Sequence, residues 1–400
     1  MRILIVQDTD WLTRNPITQH HLAEMLALRG HEIHVIDHEI QWRTQGRKEL
    51  YSRRAVFENV SRAYNNVGIT VIRPSIMKVP VLDYLSMLLS RRKEINRQIR
   101  EFNPDVIIGL GIIAAYLGMR AARGKGIPYI QFYIDVSHQM IPQKLFRPLG
   151  KAIENVTLRQ ADVVVINSNK TRDYIVETGA PHDQIRILKS GIDIGRYDPA
   201  ETGDTLREQY GLAKGDTVIL FMGWLYEFAG LKEIASQLAL INDPRLKFLV
   251  VGEGDIYDDL QRMRDKLNLW DRLVLTGLRP YQEMPSFIAA SDICVLPFLN
   301  NKITQDIVPI KIYEYMAMGK PVISTRLPGV MAEFGDDNGV VYVDRPEDFI
   351  AKAIELTDSK VSSELGTKAR TFAEGYRWDT ITDEFECIMN EAINMKQTRR

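Results

Sequence analysis

Short apolar runs alternate with helical patterns along almost the whole chain, and this alternation constrains the fold more than any other feature. In the first half the runs are Ile3–Val6, Ile33–Ile36, Ile69–Ile72, Val106–Ile108, Tyr129–Tyr133 and Val163–Ile166. Such runs without polar alternation suit strands buried on both faces, the situation of a parallel sheet covered by its own crossover helices. Between most of them lie helical spacings, the first through Leu22, Met25, Leu26 and Leu28 to Gly30, with Asn15 as its cap and Pro16 as its first residue. The pattern predicts an α/β, doubly wound sheet, in which ligands bind at the carboxyl ends of the strands.

A polar stretch, Ile194–Thr205, interrupts the alternation and reads as a linker. The alternation then restarts with Val218–Met222, Phe248–Val251, Leu273–Leu275 and Ile293–Leu296. A chain of 400 residues exceeds what one core usually serves. Two Rossmann-like domains are therefore expected, 1–195 and 206–377. A last helix from Trp378 carries Ile381, Phe385, Ile388 and Ile393 on one face that must be buried.

Several function classes are disfavoured. The loop after the first strand, Gln7–Asn15, has no glycine, so the dinucleotide fingerprint of a dehydrogenase is missing. Cys294 and Cys387 have no metal-ligand spacing, and the seven histidines form none with carboxylates, so no metal is expected. The chain opens directly into a strand, and no apolar run is long enough to span a bilayer, which predicts a cytoplasmic protein.

Charge is unevenly placed. Residues 1–200 hold 28 Lys and Arg against 20 Asp and Glu, whereas 201–400 hold 23 against 32. Arg43, Arg47, Lys48, Arg53 and Arg54 form one basic cluster, and Arg91, Arg92, Lys93, Arg97 and Arg100 another. The second follows the apolar run Val79–Leu89. A basic face beside apolar residues suits peripheral contact of 79–100 with an anionic membrane, possible on its inner face, or with a lipid-phosphate acceptor; a solvated helix face is the alternative. Nucleic acid is disfavoured, because the whole chain is not basic.

The stretch with most chemical content is Asp306-Ile-Val-Pro-Ile-Lys-Ile-Tyr-Glu314, continued by Tyr315–Ile323. It reads as a loop, a helix beginning at Pro309, a stop at Gly319 and a strand. A helix N-terminus presents unpaired N–H groups and partial positive charge, which suits a phosphate. Asp306 before the helix and Glu314 on it, with Lys311 three residues earlier on the same face, could grip hydroxyls beside that phosphate. A solvated helix face is the alternative here too. In the first half, Asp135 and His138 follow the fifth strand, where an imidazole could act as base or bind a hydroxyl.

Taken in order, a set of pieces resembles retaining glycosyltransferases of family 4, which have the GT-B fold. The pieces are Arg29-Gly-His-Glu32, Ala161-Asp-Val-Val-Val165, Ser190-Gly-Ile-Asp193, Val251-Gly-Glu-Gly254, Thr276-Gly277, Ala290-Ser-Asp292 with Pro297, and Asp306 to Val322. The resemblance covers almost the whole chain. It implies two Rossmann-like domains facing across a cleft, with the last helix (378–400) crossing back to the first. It implies metal-independent transfer of a hexose from a nucleotide-diphosphate sugar, bound as co-substrate, to a glycan or lipid-linked acceptor with retention of configuration. Asp306 would contact sugar hydroxyls and Glu314 the ribose diol. The N–H groups of Ile307, Val308 and Ile310 would face the sugar and diphosphate. Gly223 would border the donor, and the backbone of Leu278 and Arg279 would meet the base.

The chain also departs from the family. Trp224 and Ala229 stand where an Arg and a Lys usually neutralise the diphosphate. Arg14 and Asn15 lie near the place of a glycine pair, and Pro309 replaces a common glycine. Lys311 is the expected substitute cation, with Lys232 or Arg14 behind it. Two other readings follow from these departures: a degenerate GT-B binding or scaffold subunit, and a GT-B sugar-nucleotide epimerase.

Overall fold

The structure is a computed structural model that describes residues 1–13, 16–39, 50–79, 82–134, 137–141, 144–167 and 169–398. The chain forms two units, Met1–Ser190 with Trp378–Arg400, and Gly191–Arg377.

The first unit has strands β1 (Arg2–Val6), β2 (Glu32–Ile36), β3 (Tyr51–Ser52), β4 (Ala55–Val60), β5 (Ile69–Arg73), β6 (Ile76–Met77), β7 (Val106–Gly109), β8 (Tyr129–Tyr133), β9 (Val163–Ile166) and β10 (Ile185–Ile187). Its helices are α1 (Thr18–Leu28), α2 (Leu82–Glu101), α3 (Ile113–Lys125), α4 (Arg147–Gln160) and α5 (Asn169–Glu177), besides the closing helix Trp378–Thr398. Eight strands form one sheet in the order β10-β9-β8-β7-β1-β2-β5-β4. It is parallel except for the β4–β5 pair, and β3 and β6 form a separate antiparallel pair. The apolar runs of the sequence are buried on both sheet faces. Ile95, Ala114, Met119, Leu158 and Ile175 of α2–α5 pack on one. Leu22 and Leu26 of α1 pack on the other, with Trp378, Ile381, Phe385 and Ile388 of the closing helix. Trp378 stacks on His21 at 4.8 Å, Phe385 meets Phe132 edge-on, and Lys396 pairs with Asp162 at 2.9 Å.

The second unit has strands β11 (Thr217–Met222), β12 (Leu246–Val251), β13 (Leu273–Leu275), β14 (Ile293–Leu296), β15 (Val322–Thr325) and β16 (Val340–Val343). Its helices are α6 (Asp204–Gln209), α7 (Leu231–Leu240), α8 (Tyr257–Lys266), α9 (Met284–Ala289), α10 (Ile310–Ala317), α11 (Pro328–Phe334), α12 (Phe349–Glu355) and α13 (Ser359–Glu374). The sheet order is β13-β12-β11-β14-β15-β16, parallel throughout. The chain winds outward from β11 in one direction and then returns to wind outward through β14 in the other. The crevice between the carboxyl ends of β11 and β14 is therefore a topological switch point, where ligands of such sheets bind.

Three local expectations are corrected. The units divide between Ser190 and Gly191, and the polar stretch 194–205 is no free linker: Tyr197 is fully buried and Ile194 is buried too. The Ile192 N–H donates to Tyr376 O at 2.7 Å, so the outgoing and returning segments are joined. The first helix starts at Thr18, because Ile17 is extended. Likewise α10 starts at Ile310, because Pro309 has ψ 134° and stands at the cap.

Candidate functional site

Helix α10 is fixed to the sheet before any ligand arrives. Tyr315 is fully buried and its hydroxyl receives the Met222 N–H at the end of β11, 3.0 Å away. Arg370 of α13 caps the Ala317 carbonyl, and Gly319 takes the left-handed conformation that ends the helix. Ile312 through Ala317 are all buried. Burial excludes the solvated-face alternative for this helix.

Glu314 is 5% exposed. Its Oε1 accepts hydrogen bonds from Tyr197 Oη at 2.7 Å and Tyr281 Oη at 3.0 Å. No described residue bonds Oε2. Burial pushes the carboxyl above its ordinary value, and the two hydroxyls, Lys311 and Arg196 oppose that rise. One oxygen is thus held inside the protein, while the other remains for a ligand.

Lys311 reaches back over the end of β11. Its Nζ lies 4.2 Å from the centre of the Phe221 ring and 5.3 Å from that of Phe298, the aromatics that close β11 and follow β14. Burial pushes the amine down to about 7, against the pull of Glu314. Gly223 makes room for it: a Cβ on that residue would stand 2.6 Å from Nζ, and its φ of +128° is one that other residues rarely adopt. Gly252 serves the same loop, since a Cβ there would lie 2.0 Å from Gly223 O. The amine therefore sits at the switch point, beside the residue that precedes Trp224.

The loop before α10 is held by the Gly329 N–H, which donates to Gln305 O at 2.7 Å. Asp306 is exposed, with Gln305 Nε2 at 3.3 Å from its Oδ2. Ile307 cannot offer its N–H as expected, because that group donates to Thr304 O at 3.1 Å. The N–H groups of Val308 and Ile310 have no partner among the described residues. Leu278 is exposed, and the peptide groups of Leu278 and Arg279 likewise bond to no described residue; the Arg279 guanidinium lies over Tyr210.

The other candidates fall elsewhere. Lys232 is paired with Glu227 at 2.9 Å and Asp259 at 3.6 Å, so its charge is already matched. Trp224 is half exposed and Ala229 fully buried. His138 is buried in the first unit, where Glu154 of α4 receives its Nδ1 at 3.1 Å and its backbone N–H at 3.0 Å. Glu154 Oε1 also accepts from Tyr133 Oη at 2.9 Å and Tyr174 Oη at 3.0 Å. Asn15, Arg14, Asp135, Arg43, Arg47 and Lys48 lie outside the described residues.

Sequence reasoning missed Tyr197, Tyr281, Phe221, Phe298 and Glu154. Only Tyr281 left a signal, since it follows the expected base-contacting pair Leu278-Arg279 directly after Pro280.

Comparison with known proteins agrees with the fold. Residues 18–196 match the model of Glycosyltransferase Family 4, and residues 216–359 match that of Glycosyl transferases group 1. The chain is 23% identical to N-acetyl-alpha-D-glucosaminyl L-malate synthase of Bacillus anthracis over 93% of its own length and 92% of that enzyme. It is 28% identical to 2-deoxystreptamine glucosyltransferase of Streptomyces kanamyceticus, over 56% of its length and 59% of that enzyme. Among solved structures, Anabaena HepE in complex with UDP superposes with a TM-score of 0.71 at 17% identity, covering 98% of this chain and all of that one. Sucrose-phosphate synthase of Thermosynechococcus elongatus gives 0.74 at 17% identity, covering 98% of each chain. Two family models, one in each unit, and a fold shared along the full length show that the chain is a family 4-like glycosyltransferase of the GT-B fold.

Proposed function

We propose that the chain transfers a hexose from a nucleotide-diphosphate sugar to a hydroxyl of a glycan or lipid-linked acceptor, with retention of configuration. The observation that carries this reading is the pairing of Glu314, held on one oxygen, with the Lys311 amine at the switch point. Glu314 Oε2 grips the ribose diol. The diphosphate lies against Lys311 and the free N–H groups of Val308 and Ile310, and Asp306 contacts the sugar hydroxyls. Lys311 takes the place of the two cations absent at Trp224 and Ala229. Stabilising the leaving diphosphate is the main electrostatic demand on such a site.

In the reaction the bond between sugar C1 and phosphate oxygen breaks, while the acceptor oxygen bonds to C1 on the same face. The acceptor proton passes to the departing phosphate oxygen, so no strong protein base is required. His138 and Asp135 are assigned to orienting the acceptor. The test is incubation with UDP-, GDP- and ADP-sugars and sugar or lipid-phosphate acceptors. An α-linked product from an α-linked donor supports the reading; a β-linked product overturns retention. Donor turnover without a glycoside overturns transfer.

A further inference from the structure

We propose that the outer face of α2, α3 and α4 is the surface by which this protein lies against an anionic lipid bilayer. The three helices pack side by side on one face of the first unit's sheet. α2 lies on the crossover from β5 to β7, α3 on that from β7 to β8 and α4 on that from β8 to β9, all parallel in one sheet, so their N-terminal ends share the edge where the strands end.

Among the described residues, that edge carries exposed apolar side chains. Leu85 and Leu89 of α2 are 56% and 63% exposed, and Leu88 between them is 36% exposed. At the start of α4, Leu145 is 84%, Phe146 54% and Leu149 60% exposed. Elsewhere on the same helices Leu158 of α4 and Ile95 and Ile99 of α2 are buried, while Val156 of α4 is 39% exposed. An unpartnered rim of large side chains in a folded protein marks a contact site.

Charge selects the occupant. Arg92 and Lys93 follow the α2 leucines, and Lys151 follows Leu149; all three are exposed. Arg120 of α3 is exposed too, and Arg100, Arg123 and Lys125 are exposed at the other ends of α2 and α3, away from the apolar rim. None of these seven has an acidic partner among the described residues. The acids of the layer are withdrawn: Asp83, Glu94 and Glu154 are buried, and Glu94 is engaged by Arg54 at 2.8 Å. Glu101, at the far end of α2, is the one exposed acid of these three helices. α3 has no acid at all. Apolar side chains that enter the acyl boundary, flanked by cations at the head groups, are the two signals that together hold a protein on a membrane reversibly. No described helix is long and apolar enough to cross a membrane, so the contact is peripheral. A nucleic acid would use the cations and leave the leucines unexplained.

The experiment is co-sedimentation of the full chain with phosphatidylcholine vesicles, with and without phosphatidylglycerol. Binding is expected only to the anionic vesicles and should fall with added salt. Two variants separate the signals, Leu145→Ser/Phe146→Ser/Leu149→Ser and Arg92→Glu/Lys93→Glu, and each should weaken binding by about tenfold or more. Both alter exposed positions, and unchanged thermal unfolding confirms their folding. Equal binding to neutral and anionic vesicles, no binding to either, or variants that bind like the parent would overturn the proposal. So would tight binding of an oligonucleotide blocked only by the charge variant and unaffected by vesicles.

Discussion

The Tyr197 hydroxyl donates to Glu314 Oε1 at 2.7 Å, across 117 residues of sequence. Tyr197 stands only a few residues inside the second unit, where the chain has just entered it. Its own carbonyl receives Arg370 Nη1 at 2.7 Å, and the same guanidinium caps the helix that carries Glu314. The carboxylate assigned to the ribose is therefore oriented by the first segment of the second unit. A hydrogen bond to a charged group contributes about 1.5–3 kcal/mol. Tyr197→Phe should accordingly weaken nucleotide affinity by about tenfold or more. The decisive measurement is calorimetry with UDP and 2′-deoxy-UDP. The parent should prefer the ribonucleotide, and Tyr197→Phe should lose most of that preference. A variant that binds both more weakly in equal proportion would contradict the orienting role.

Lys311 should set stability and donor affinity against each other. Its amine is held down to about 7 from an ordinary value of 10.5. A lysine with a lowered folded value costs stability where it is charged in both states, below about 7. That cost is relieved as pH rises from about 7 toward 10.5, because the folded state releases its proton first. Lys311→Met removes the cost, so it should raise the melting temperature at pH 6 and have less effect at pH 9. Donor binding should move the other way: affinity in the parent falls as pH rises through about 7 and the amine loses its charge, and the variant binds weakly at every pH. A charged hydrogen bond to a phosphate is worth at least about 1.5 kcal/mol, roughly tenfold in affinity. Paired melting and binding titrations at pH 6 and 9 would show whether the two effects have opposite signs.

Element order was legible because the two periodicities are strong: Ile3–Val6 of β1, Val106–Ile108 of β7 and Val163–Ile166 of β9 are unbroken apolar runs, β2 and β8 are mostly apolar, and α1 and the closing helix repeat every three or four residues. The placement of Asp306 in a loop and of Glu314 on the helix after it was legible from the sequence. What surrounds Glu314 was not, because Tyr197 and Tyr281 reach it through the tertiary fold. The segment 194–205 misled by composition. Its aspartates and glycines read as a linker, while the burial of Tyr197 depends on α10 and α13, which come far later in the chain. Pro309 misled by one residue, since a fixed φ leaves ψ free, and its extended ψ delays the helix. Lys311 was singled out for its charge, but the aromatic floor that positions it is assembled from β11 and the end of β14.

Gly223 gives a steric test of the same amine. Replacing it with alanine places a methyl 2.6 Å from Lys311 Nζ and demands a φ of +128°. Strain of this kind costs about 1–3 kcal/mol. Gly223→Ala should therefore lower the melting temperature and weaken donor binding. In the double variant with Lys311→Met the binding losses should not add, because both act on one cation. Additive losses in a binding cycle would place the effect of Gly223 on the backbone alone.

Glu154 allows the first unit to be examined independently of donor binding. Its carboxylate accepts from the hydroxyls of Tyr133 and Tyr174 and lies 3.1 Å from His138 Nδ1, so in the neutral ring it favours the Nδ1–H tautomer. Glu154→Leu removes the acceptor of four donors, the backbone N–H and Nδ1 of His138 and the hydroxyls of Tyr133 and Tyr174, each stranded donor costing about 1–3 kcal/mol, and should destabilise the protein severely. Glu154→Gln keeps the shape, but its amide can donate to Nδ1 and so drive the proton to Nε2, which is the wrong tautomer for a group that accepts from a hydroxyl. If His138 orients the acceptor, Glu154→Gln should lower kcat by about tenfold or more, the low end for such groups, with donor KM unchanged. Histidine ring NMR on the two proteins should show the proton moving from Nδ1 to Nε2. An unmoved proton with a lowered kcat would assign the loss to packing, and a moved proton with full kcat would remove His138 from the reaction.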